Sequence, residues 1–273
     1  MGTKFLIQSE GKIAYDDSGS GPLVLCVPGM GDLRGSYRYL IPQLVSAGYR
    51  VVSMDVRGHG ESSTGWQDYS NVGIGRDILA LIRELNAGPA LLVVNSIAGG
   101  SAVWAAAEAP DLVAGMVLID PSVRGKFNLA TRWLLRGLFA RPWGPAMWGW
   151  YFGKLFPTRK PTDFIPYRDG LLRNLAEPGR MESLVRMMVT SQTAAEERLP
   201  RVSAPAVVLM GSKDPDFKPE AEAQFVANSL RAPYHMIEGA GHYPHVEMPE
   251  VTTPVILGFL QSLKEKMEKV YVA

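Results

Sequence analysis

Ser96 closes an apolar run and opens a string of small residues, LLVVNSIAGG over 91–100. A strand that delivers a serine to a sharp turn ahead of a helix leaves the hydroxyl exposed at the helix N-terminus. Backbone N–H groups there can stabilise an anion. The turn needs small neighbours so that strand, turn and helix do not collide. A serine hydroxyl is a weak nucleophile by itself, so the chemistry requires a base to take its proton and an acid to orient that base. Asp214 in LMGSKDPD and His242 in EGAGHYPHVE offer both. Without such partners, a serine ending a strand beside Gly-Gly is equally well explained as a helix cap.

The elements that must position these residues follow from periodicity. KFLIQ and KIAYDD read as a hairpin, and LVLCV, YRVVSMD, ALLVVN and GMVLID read as further strands. Helices are expected over about 35–48, ending at Gly48, and over about 74–86. SIAGGSAVWAAAEA, rich in helix formers, supplies another. The alternation resumes with PAVVLMG, a helix over about 219–230, PYHMIE, and a terminal helix from Val251 to Lys269. Uniformly apolar strands alternating with helices predict an α/β fold, a mostly parallel sheet covered on both faces. Residues 122–200 differ in character: four of the six tryptophans lie there and the periodic stretches read as helices. They are expected to form a helical cap inserted after strand 6, over the sheet edge where open α/β sheets bind ligands. The core is then 1–121 with 201–273.

The serine, aspartate and histidine segments, with VPGMGD and DVRGHGES, resemble the α/β-hydrolase family, and specifically its capped serine hydrolases and esterases. The resemblance covers the two flanking blocks and not the cap. It implies Ser96 as nucleophile, His242 in AGH as base and Asp214 as the acid that orients the imidazole. It also implies an oxyanion hole from the backbone N–H groups of Ile97 and Met30. Two positions depart from the family pattern: Val94 stands where a glycine is usual before the nucleophile, and Pro28 where a histidine is usual. Asp120, ending the preceding core strand, and Asp216 are rival acids, and His245 is a rival base. His59, His235, Asp55, Arg57 and Glu247 are read as structural.

Composition narrows the classes. The 273 residues are 47% hydrophobic and 20% charged with net charge +1, which argues against wholesale nucleic-acid binding. The single cysteine, Cys26, excludes an intrachain disulfide and reads as a buried small hydrophobe. MGTKFLIQSEGK lacks the apolar core of a signal peptide, and no apolar span reaches the ~18 residues of a membrane helix, so a cytoplasmic location is expected. No cofactor and no metal ligand set is implied.

The expected partner is a small-molecule ester, cleaved by a carboxylesterase or lipase-like serine hydrolase. A serine nucleophile argues against epoxide opening and dehalogenation, for which relatives carry aspartate. Lactonase, thioesterase, C–C bond hydrolase, aminopeptidase and perhydrolase chemistry share the same triad, and a non-catalytic receptor shares the fold. Residues 122–173 carry ten Lys and Arg against Asp163 and Asp169, a local charge of +8, interleaved with PWGPAMWGWYFG. This segment reads as an apolar pocket roof with a solvated basic exterior. The competing readings are a lid in peripheral contact with an anionic membrane and a basic attractor for anionic substrates.

Overall fold

Eight strands form one sheet in the order β1-β2-β4-β3-β5-β6-β7-β8 in a computed structural model of the chain. The structure describes residues 2–272, as backbone alone from 266 onward. β1 (Lys4–Gln8) and β2 (Gly11–Ser18) make the expected antiparallel hairpin, and β2 runs antiparallel to β4 (Arg50–Met54). β3 (Leu23–Val27), β4, β5 (Ala90–Asn95), β6 (Val113–Ile119), β7 (Ala206–Gly211) and β8 (Tyr234–Ile237) are mutually parallel.

Period-2 alternation splits the strands between two cores. Leu92 and Val94 of β5 pack with α2 (Asn71–Leu85), α3 (Ile97–Glu108) and α9 (Pro219–Leu230), while Leu91 and Val93 pack with α1 (Ile41–Ser46) and α11 (Pro249–Val272). Because both faces are covered, every residue of β3, β5 and β7 is buried, and the strands carry no polar alternation. Cys26 is buried in β3.

The helix expected over 35–48 is shorter. A 3-10 turn over Arg34–Tyr37 precedes α1, which has Pro42 in its first turn. Proline lacks an N–H and its ring clashes with the carbonyl four residues back, so Pro42 is tolerated only in the first turn and the helix begins just before it, at Ile41.

Between β6 and β7 lie α4 (Leu129–Leu138), α5 (Gly144–Lys154), α6 (Phe164–Leu175), α7 (Arg180–Met188) and α8 (Thr193–Glu196). This insertion has a core of its own, in which Trp148, Phe152, Leu171 and Leu184 pack with Tyr243 and Val246 from the chain around α10 (Pro244–Glu247). Insertion and sheet therefore share side chains beside His242.

Candidate active site

The turn between β5 and α3 forms with Val94 in place. Ser96 adopts φ 57°, ψ −124°, a region costly for a residue with a Cβ, and the flanking hydrogen bonds hold it there. Its N–H donates to the Ile119 carbonyl at 3.0 Å, and its own carbonyl accepts from Gly99 at 2.8 Å and Ser122 at 2.9 Å. The isopropyl group of Val94 is absorbed by the core on the α3 side of the sheet. Closeness matters one turn later: a Cβ on Gly99 would lie 2.6 Å from Cβ of Pro121, so α3 can approach the exit of β6 only with glycine there.

His242 follows Gly241, where a Cβ would stand 2.3 Å from the Leu155 carbonyl oxygen. The His242 N–H donates to that same oxygen at 3.0 Å. Its Nδ1–H donates to Oδ2 of Asp214 at 2.7 Å, which leaves Nε2 as the ring's lone-pair nitrogen. Oδ1 of Asp214 is held by the Asp216 N–H at 2.8 Å. Asn95, immediately before Ser96, donates through Nδ2 to the carbonyls of His242 and Ile119, both at 3.1 Å. Serine loop and histidine loop are thereby tied side by side. Ser96, Asp214 and His242 are all buried.

Among the three acids, Asp214 is the one bonded to the imidazole. Burial opposes its charge, but the His242 charge and hydrogen bond outweigh it and hold Asp214 below the usual carboxylate range. His242 moves the other way: burial disfavours the imidazolium, and the Asp214 carboxylate overcomes this and raises the ring above the ordinary histidine range. Asp216 is farther, with 3.8 Å between its Oδ2 and Nδ1, and accepts a hydrogen bond from the Tyr151 hydroxyl.

Asp120 sits just past β6 at φ 43°, fully buried. Its Oδ1 accepts from the Gly211 N–H at 2.8 Å, whereas Oδ2 finds no donor. Burial first, then the charge of Asp214, push Asp120 well above the carboxylate range. Donor atoms of Asp120, Asp214 and His242 lie within 4.8 Å of one another, the spacing of a metal trio. The Asp214–His242 hydrogen bond already occupies two of those donors.

Met30, Ser96 and Ile97 line one cavity of about 670 Å³. Ile97 is the first residue of α3, so its N–H has no intrahelical partner. Among the described residues the Met30 N–H has no partner either. The next amide, Gly31, does: it donates to Nε2 of His59 at 2.9 Å, and Nδ1–H of His59 donates to the Arg57 carbonyl at 3.1 Å. His59 thus braces the Pro28–Gly31 turn from β4, and Trp148 of α5 braces it from above through Nε1–H to the Gly31 carbonyl at 2.9 Å. The sequence reads His59 as structural and Trp148 as part of the pocket roof, and gives neither a part in holding this turn. The available signals were a histidine inside a glycine loop on the strand paired with β3, and a polar Asn95 inside an apolar run.

His245 is buried, its Nε2 3.3 Å from the Ser36 hydroxyl and its ring stacked on Tyr37, so it packs and does not face Ser96. His235 is exposed on β8. Glu247 is buried and accepts from the amides of Thr158, Arg159 and Gly241, joining the α5–α6 connection of the insertion to the histidine loop.

The family model described as the alpha/beta hydrolase family matches residues 24–254. The chain belongs to that family. Among curated members, 2-(acetamidomethylene)succinate hydrolase of Mesorhizobium japonicum is 27% identical to this α/β hydrolase over 266 residues, covering 90% of each chain. Human monoglyceride lipase is 28% identical over 243 residues, 85% of this chain and 79% of the lipase. The solved structure of a thermophilic esterase from Thermogutta terrifontis shares the fold with TM-score 0.81 at 24% identity, over 96% of this chain and 99% of the esterase. A bromoperoxidase from Bacillus anthracis shares it at TM-score 0.84 and 21% identity, over 95% and 100%.

Proposed function

We propose that this α/β hydrolase is a serine hydrolase that cleaves carboxylic esters of small or hydrophobic substrates through an acyl-enzyme on Ser96. The observation that carries the reading is the 2.7 Å bond from His242 Nδ1–H to Asp214, which frees Nε2 to act as a base beside the loop holding Ser96. Ser96 Oγ attacks the ester carbonyl carbon while Nε2 takes the hydroxyl proton. The carbonyl oxygen becomes an oxyanion bound by the Met30 and Ile97 N–H groups. Collapse breaks the bond to the alkoxide, which leaves with the proton from His242, and Ser96 keeps the acyl group. Water, deprotonated by the same nitrogen, attacks the acyl carbon and releases the acid.

The substrate class is read from the cavity wall. Phe127, Leu135, Leu138, Phe139, Met147 and Trp148 line one stretch of it, and its polar groups include Arg124, Lys126, Gln192 and Asp216. The apolar stretch suits an apolar acyl or alcohol group. The lipase and esterase among the relatives support an ester, and the succinate hydrolase shows that other carbonyl substrates occur in the family.

A fluorophosphonate probe tests the reading. Wild type should be labelled and Ser96→Ala should not, and p-nitrophenyl butyrate or octanoate should be hydrolysed faster than acetate. Folded wild type that takes no label and turns over none of these esters would overturn it.

A further inference from the structure

α4 contains no buried residue. Its exposed Leu129, Trp133 and Leu134, with Trp143 and Trp150 nearby in the chain, are 54% to 68% exposed. The expectation of an aromatic roof therefore holds for Trp148, which is buried, and for Trp150 only in part, since it borders the cavity and also faces out. At 100° per residue, Leu129, Trp133, Leu134 and Leu138 occupy the outward half of the helix, and Arg132 and Arg136 fall to one flank. A surface helix ordinarily turns that arc inward.

Charge is as one-sided as hydrophobicity. From residue 121 to residue 162 the chain has eight Lys and Arg and no Asp or Glu. Arg124 and Arg159 are paired with Glu222 and Glu250. Among the described residues Lys126, Arg132, Arg136, Arg141 and Lys154 have no carboxylate partner. Two of these cations lie over tryptophan rings instead: Arg136 over Trp133 at 5.2 Å and Lys154 over Trp150 at 5.5 Å. Exposed indoles and leucines beside unpaired cations match the interface of an anionic bilayer, where rings enter the headgroup layer and cations meet lipid phosphates. A second copy of this chain fits the face poorly, because a two-fold contact would set the same cations against one another.

We infer that the outer face of α4 and the adjoining start of α5 dock on an anionic lipid surface. Phe127, Leu138 and Trp150 are both exposed and part of the cavity wall, so the docked face adjoins the cavity that contains Ser96. Docking would bring lipid to the site without passage through bulk water. No helix among the described residues is long and apolar enough to cross a membrane, so the contact is peripheral. The inference does not depend on the chemistry of Ser96.

Vesicle co-sedimentation tests it, on wild type and on Ser96→Ala so that lipid hydrolysis plays no part. Both should bind mixed phosphatidylcholine–phosphatidylglycerol vesicles, with a blue shift of tryptophan emission, and pure phosphatidylcholine vesicles more weakly. Trp133→Ser with Leu134→Ser should lower the partition coefficient by about tenfold or more, since these side chains are largely exposed and lie outside the buried cores. Arg136→Glu with Lys126→Glu should remove the preference for anionic lipid. Absence of binding to either vesicle, or equal binding by wild type and the Trp133–Leu134 variant, would overturn the inference. It would also fall if wild type bound no vesicle but sedimented as a dimer that the same substitutions made monomeric.

Discussion

Asp214 decides which ring nitrogen of His242 carries the proton, and a neighbouring acid cannot take over that task for free. Asp216 lies farther from Nδ1, and Asp120 already has its Oδ1 committed to Gly211. Asp214→Asn keeps the shape and removes the charge, so kcat/KM for an ester should fall by about a thousand- to ten-thousandfold. The pH profile carries the sign of the effect. The base must be neutral, so activity rises with pH as the imidazolium loses its proton. Asp214 raises the pH at which that happens. In Asp214→Asn the residual activity should therefore have its acid limb at lower pH than wild type. An unshifted limb would mean that another carboxylate sets the charge of the ring.

At the scale of elements, the serine turn is held by parts distant in sequence. His59, after β4, fixes the Gly31 amide and leaves Met30 next to it unpaired and beside Ser96. On the proposed mechanism, His59→Ala should lower kcat by up to about a hundredfold with little change in KM, because the Met30 amide would bind the oxyanion and not the ground state. A fall confined to KM would assign His59 to substrate binding. The contrast with Ser96, Asp214 and His242 shows what a sequence exposes. Each of those three lies within five residues of the end of a parallel strand, and a buried parallel strand has a plain signature. The braces have no such strand signature: Gly31 with His59, Gly31 with Trp148 and Glu247 with Thr158 exist because of where strands and insertion meet in space. The break at Pro42 was legible from proline chemistry and was missed by following apolar spacing alone. In the insertion, periodicity located helices but not which arc of α4 faces out, since an outward apolar face and an inward one have the same spacing.

For the whole molecule, buried imidazoles link stability to pH. Burial lowers His59 to about 4; burial, with the positive charge of Arg38 and His242, lowers His245 to about 3. The unfolded chain takes up these protons near pH 6.5, while the folded protein resists until about 4 and 3. The unfolded state thus binds more protons between those limits, and stability falls as pH drops through that window. The urea midpoint should decrease from pH 7 to pH 5, and less steeply in His245→Gln; parallel slopes would exclude His245 as a source. The same scale shows how insertion and sheet depend on one another. The Leu155 carbonyl receives the His242 amide, Gly241 is small because that carbonyl lies against it, and Glu247 holds the next residues of the insertion. The insertion is therefore not a detachable module that evolution or an engineer can exchange at the strand ends. A transplant that omitted Leu155–Arg159 would take away a wall of the histidine loop, so chimaeras that alter specificity must graft within that anchor and leave it native.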